Sequence, residues 1–145
     1  MRLLIVCAIA LLACACSSVP VDSKGWIEPV DAIRAANDDP AYGVRGEFIM
    51  TVKGFGADQK WSYLNSERDY RDQRALTIRM PTSIIPGLEK RLGVKFKDLV
   101  GRRLVILGTA KRQRIHFLHD GKWTGAYYYQ THVKVDSATQ VRLVE

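Results

Sequence analysis

Cys14 and Cys16 stand where covalent chemistry would be done on this chain. Arg2 precedes an unbroken small and apolar run, Leu3–Ala15, followed by Cys16-Ser17-Ser18-Val19-Pro20. A charged start, a short apolar middle and small residues at a cutting point are the layout of a secretory signal. Leu11-Leu12-Ala13-Cys14 has the aliphatic-small-small-Cys pattern at which a lipoprotein signal is cut and its cysteine acylated, with Leu12 large for its place. Ala13-Cys14-Ala15-Cys16 has smaller residues and a Ser-Ser tail, but no aliphatic residue three before the cysteine. Ala13-Cys14-Ala15 also fits an Ala-x-Ala site, whose cleavage would release a soluble periplasmic protein. The expectation is lipidation at one of the two cysteines, Cys14 or Cys16. The apolar run is about 13 residues, against roughly 20 for a helix that crosses a bilayer. Neither Ala15 nor Ser17 is the aspartate that retains lipoproteins at the inner membrane, so the expected address is the outer membrane, facing the periplasm.

Little else in the chain spells out a reaction. All three cysteines, Cys7, Cys14 and Cys16, lie in the leader, so the remainder has no disulfide and no thiol metal ligand. His116, His119 and Asp120 could meet in a hairpin, but three donors without a fourth make no metal site. Glu67-Arg68-Asp69-Tyr70-Arg71-Asp72 reads as charges that pair, cap and solvate a turn. A phosphate-binding glycine loop, a nucleophile elbow and a Ser-His-Asp pattern are all missing. The expectation is a protein that is not an enzyme and carries no cofactor. The formal charge of +7, from 22 basic and 15 acidic residues, suits a polyanionic partner and suits plain solubility equally well.

Periodicity lays out the scaffold on which any such site would be built. Residues 1–16 are the signal, 17–29 a tether and 30–145 one domain. Val30–Ala36 is a short helical turn ended by Asn37-Asp38-Asp39-Pro40, placed to plug one end of the strands after it. From Tyr42 the period becomes two: Val44, Gly46, Phe48, Met50 and Val52 alternate with Arg45, Glu47, Ile49, Thr51 and Lys53. Gly54–Asp58 is expected to turn the chain, Lys60–Leu64 to form a second strand and Ala75–Met80 a third. Between Pro81 and Gly93 the spacing predicts one short helix, capped by Thr82 or Ser83, with Pro86 in its first turn and Gly93 at its exit. Arg102–Ala110 is a fourth strand, apolar on both sides and therefore central. Arg112–Trp123 makes a long hairpin around Asp120-Gly121. Tyr127–Val135 is a fifth strand, with Tyr127 and Tyr129 facing the core and Tyr128 sharing the other side with Gln130, His132 and Lys134. Gln140–Val144 continues it or adds a closing strand.

Strand, strand, strand, helix, strand, strand is the order of the OB-fold, a five-stranded Greek-key barrel. Leu99-Val100-Gly101-Arg102-Arg103-Leu104-Val105-Ile106-Leu107-Gly108 resembles the fourth-strand signature of bacterial OB domains. Val133-Lys134-Val135-Asp136 with Thr139-Gln140-Val141 resembles their ending, and Tyr63-Leu64-Asn65-Ser66 with Asp69-Tyr70-Arg71-Asp72 resembles the region between strands 2 and 3. The chain is thus similar, over Gly43–Val144, to small exported bacterial lipoproteins with an OB barrel. The resemblance implies a ligand lying across strands 2 and 3 between the first and last loops. Carried onto this sequence, it points to Phe55 and Lys60 from the first loop, Trp61 and Tyr63 from strand 2, Arg79 from strand 3, and Arg112, Arg114 and Trp123 from the last loop. Rings beside cations suit bases over phosphates, at roughly 1–3 kcal/mol per stacked base, and suit sugars too. Trp61 and Tyr63 can equally fill the core, and that is the simpler expectation for them. The function implied is a lipid-anchored envelope module that binds a polyanion, a nucleic acid, a glycan or a partner protein. The alternatives are a structural component docking by a strand edge and a metal-assisted phosphodiesterase.

Overall fold

The computed structural model describes residues 18–144; Cys14 and Cys16, with the rest of the expected signal, lie outside the described residues. One helix, α1 (Pro29–Asp38), precedes the strands β1 (Val44–Thr51), β2 (Gly54–Ala57), β3 (Trp61–Asn65) and β4 (Leu76–Pro81). Helix α2 (Ile85–Leu92) then leads through a 3-10 turn at Phe96–Leu99 to β5 (Arg103–His119), β6 (Lys122–Lys134) and β7 (Val141–Val144). The protein is mainly β, with seven strands in one sheet among the described residues rather than the five expected. The extra strands come from Gly54–Ala57, which pairs with β3 instead of turning the chain, and from β7, which pairs with β5.

The pairing order is β1-β5-β6-β4-β3-β2, antiparallel except where β4 runs parallel to β6. The end strands β1 and β2 do not pair with each other, yet only Val52 and Lys53 separate them. Val52 N–H donates to Arg102 O, on the β5 side, whereas Lys53 N–H donates to Asn65 O, on the β3 side.

Alternation sets which face is dry. Phe48, Met50, Val52, Leu64, Leu76, Ile78, Met80, Leu104, Ile106, Val133 and Val135 are buried together, and burying each such apolar side chain stabilises the fold by about 1.5–3 kcal/mol. Helix α1 starts on Pro29, suited to a first helical position, and adds Ala32, while α2 adds Leu88. No side chain caps α2; a 3-10 turn over Thr82–Ile84 leads into it, and Gly93 ends it with φ 68°. Gly108 faces β6 so closely that a Cβ there would sit 2.6 Å from Val133 Cγ1.

Two further features depart from expectation. Within the expected tether, Trp26 and Ile27 are buried, and Ile27 bridges to Phe48 beside β1. Trp26 covers Ile49 and Val105 on the outer side of the sheet, and its indole N–H donates to Glu47 Oε2 at 3.2 Å. The second concerns β5 and β6, which continue past the core as a long hairpin. Its two-residue turn holds Asp120 and Gly121 at φ 49° and 74°, the left-handed pair that matches strand twist. Tyr127 is consequently 48% exposed rather than a core residue, and Tyr129 is only half-buried.

Candidate ligand-binding face

Register brings together, on the outer face, side chains that sequence spacing leaves far apart. Tyr63 of β3 lies opposite Arg79 of β4, and Asn65 opposite Thr77. Thr77 and Arg79 in turn lie beside His132 and Lys134 of β6. Lys111, Gln113 and Ile115 of β5 stand opposite His132, Gln130 and Tyr128. These positions alternate with the core residues, so every one of them falls on the same face.

Two cavities adjoin there. The first, about 410 Å³, is lined by Phe55, Tyr63, Tyr70, Ile115, Tyr128 and His132 over a floor of Asn65, Thr77 and Gln130. The loop after β3 brings in Tyr70, whose backbone oxygen accepts from Gln130 Nε2 at 2.6 Å. The carboxylates of that loop pair with cations outside the Glu67–Asp72 run: Asp72 with Arg74 at 2.7 Å, and Glu67 with Lys53, between β1 and β2, at 3.0 Å. The second cavity, about 380 Å³, shares His132 and is lined by Arg45, Arg79, Lys111, Lys134, Gln113 and Asp136. Lys134 pairs with Asp136 at 3.0 Å. Among the described residues, no carboxylate lies within ion-pairing distance of Arg45, Arg79 or Lys111.

Trp61 and Tyr63 do not fill the core. The half-buried residues of β3 alternate with buried Ser62 and Leu64, which places Trp61 and Tyr63 outside. The Arg79 guanidinium stacks on the Trp61 ring, 3.7 Å from its centroid, and Lys60 Nζ stands 5.7 Å from the same ring. Stacking of this kind holds a guanidinium flat, and the Arg79 Nε is buried without a partner. Burial raises the Tyr63 phenol above its ordinary range, helped by the charge of Asp58 and opposed by Arg79.

Hydrogen bonding fixes the state of His132. Tyr70 O can only accept, so the Gln130 atom facing it is the amide nitrogen, which also reaches the Tyr128 hydroxyl at 3.1 Å. Gln130 Oε1 must then accept from His132 Nε2, 2.7 Å away. The neutral ring therefore carries its proton on Nε2, and Nδ1, buried without a partner, is an acceptor. Burial, reinforced by the charge of Arg79, lowers the His132 pKa from 6.5 to about 4. Positive charge on this face comes from Arg and Lys alone near neutral pH.

Of the residues singled out from sequence, the structure gathers Phe55, Lys60, Trp61, Tyr63 and Arg79 on or beside this face. Phe55 sits in β2, edge-on to Phe96 with centroids 6.1 Å apart. Arg112, Arg114 and Trp123 are not in a loop at this groove; they belong to β5 and β6 and lie on the opposite side of the hairpin from Lys111, Gln113 and Ile115. His116 packs its ring against Trp123 at 5.2 Å. Sequence reasoning missed Tyr70, Gln130, His132, Lys111 and Arg45. Strand alternation already placed Tyr128, Gln130, His132 and Lys134 on one side; the missing information was which strand lay beside them.

No protein-family model, curated protein or solved structure matches the chain.

Proposed function

We propose that the protein is a lipid-anchored, outer-membrane module of the bacterial envelope. Its outer sheet face binds an anionic polymer, foremost an acidic glycan, without transforming it. The sheet is read as an OB-type barrel in which β1 and β2 are two halves of one bent strand. The parallel pairing of β4 with β6, the position of α2 between β4 and β5, and the opposed hydrogen bonds of Val52 and Lys53 support that reading.

The observation that carries the function is Arg79 stacked on Trp61 beside a cavity lined by rings and another lined by cations. Sugars pack on aromatic faces, and acidic groups meet guanidinium and ammonium groups. The first cavity has no carboxylate in its lining, and His132, its one imidazole, is neutral and held by Gln130, which favours holding a ligand over acid–base work.

Binding of a sulfated oligosaccharide, measured by fluorescence anisotropy, tests the reading. Three to four of the cations on this face would give affinity that falls roughly 20- to 50-fold between 50 and 200 mM salt. Arg79→Ala and Trp61→Ala should each abolish most binding, whereas Arg112→Ala with Arg114→Ala should leave it. Equal binding by all variants, or affinity indifferent to salt, refutes the site. The anchor is tested separately by metabolic labelling with an alkynyl fatty acid; label persisting in the Cys14→Ser/Cys16→Ser double variant refutes acylation there.

A further inference from the structure

The far face of the hairpin takes no part in the groove. Arg112, Arg114, His116 and Leu118 of β5 stand opposite Thr131, Tyr129, Tyr127 and Trp123 of β6. The Arg112 guanidinium lies 3.5 Å from the Tyr129 centroid and that of Arg114 4.9 Å from Tyr127. A lane of cations thus runs beside a lane of rings, and at its outer end Leu118 is 64% and Trp123 61% exposed. From Lys111 to Tyr129 the sequence has one carboxylate, Asp120, which sits at the turn 3.5 Å from His119.

We propose that this face docks on an anionic lipid surface, with Trp123, Tyr127 and Tyr129 at headgroup depth and Arg112 and Arg114 on the headgroup phosphates. Trp and Tyr rings are the side chains that settle at a membrane interface, and Arg extends its charge to the headgroups while its stem stays apolar. The course of the chain points the same way. Val19 packs on the core, and Ser18, Val19 and Pro20 share a cavity with Asp31, Arg34, Ala35 and Asp38 on one flank of α1. On the other flank, Ile33 and Asn37 share a cavity with Arg112 and Tyr129. Only the width of a helix, about 10–12 Å, separates the N-terminal exit from the root of the hairpin face. Two residues, Ser17 and Ser18, link Cys16 to Val19, and the three Cα–Cα steps reach at most about 11 Å. An acyl chain on Cys16 would therefore hold α1 and this face against the bilayer. The orientation rests on the acylation reading above; the chemistry of the face does not.

The test uses the full, unacylated chain and vesicles of phosphatidylglycerol with phosphatidylethanolamine, brominated in their acyl chains, compared with phosphatidylcholine. The expected result is quenching of tryptophan emission on the anionic vesicles that Trp123→Phe removes and Trp61→Phe leaves. Arg112→Glu/Arg114→Glu should weaken it roughly 25-fold or more, at about five-fold per cation. Flotation of the chain with quenching unchanged by Trp123→Phe would overturn the proposal, because the lipid would then be met by a part of the molecule other than this face. A Trp123 emission change with a soluble sulfated glycan, without quenching by brominated lipid, would also overturn it in favour of a second glycan site. Acyl labelling scores the anchor independently, so either reading can fail alone.

Discussion

Replacing His132 with glutamine should remove most of the protein's loss of stability between pH 7 and pH 5. The folded protein keeps this largely buried ring neutral down to about pH 4, because burial and the Arg79 charge both oppose a proton. In the unfolded chain the same ring protonates near pH 6.5. As pH falls through that window the unfolded state takes up a proton that the folded state refuses. The stabilisation is complete above pH 6.5 and is lost on acidification. The separation between 6.5 and about 4 corresponds to about 3 kcal/mol in full, of which about 2 kcal/mol falls between pH 7 and 5. The lowered carboxyls Asp22, Asp58, Asp72 and Glu89 have ordinary values of 3.8 to 4.5 and titrate below this window. Urea unfolding at pH 7, 6 and 5 makes the measurement. Glutamine can still donate toward Gln130 Oε1 but does not titrate, so its own cost is the same at each pH. If His132→Gln loses as much stability between pH 7 and 5 as the native chain, or the native chain loses none, the reasoning about burial is refuted.

Trp26→Ala should cost about 3–5 kcal/mol, the range for emptying a buried large aromatic site, because it uncovers Ile49 and Val105; denaturant midpoints decide, and a loss below about 1 kcal/mol would mean that residues 18–28 are dispensable to the fold. Gly108→Ala should destabilise by about 1–3 kcal/mol by overpacking, since the new methyl would meet Val133 Cγ1 at 2.6 Å; an unchanged melting temperature would show that β6 can yield there. Asp72, held down to about 2 by Arg74, should shift toward the ordinary carboxyl range in Arg74→Ala, a change followed by NMR titration.

Much of this protein was legible without coordinates. Alternation from Val44 to Val52 marked the inward residues of β1, and Leu76, Ile78 and Met80 marked those of β4, because a side chain's face depends only on its parity along the strand. The helix ending at Gly93 and the Asp120-Gly121 turn announced themselves by local conformational chemistry. Local rules failed where burial depended on a distant cover. Trp61 and Tyr63 carry apolar surface that a core would accept, but Ser62 and Leu64 occupy the inward positions of β3. Tyr127 has the parity of a core residue and lies beyond the core's edge, because the hairpin outruns the strands that could cover it.

Residue order along the chain was enough to set the alternating faces of most strands, the place of the helix before Gly93, the turn at Asp120-Gly121 and the stock of rings and cations. It took the assembled sheet to put Arg79, Tyr63, His132 and Lys111 on one face while Arg112, Arg114 and Trp123 share another. Face is a property of one strand, but neighbourhood is a property of strand order, and the parallel contact of β4 with β6 joins residues more than fifty positions apart.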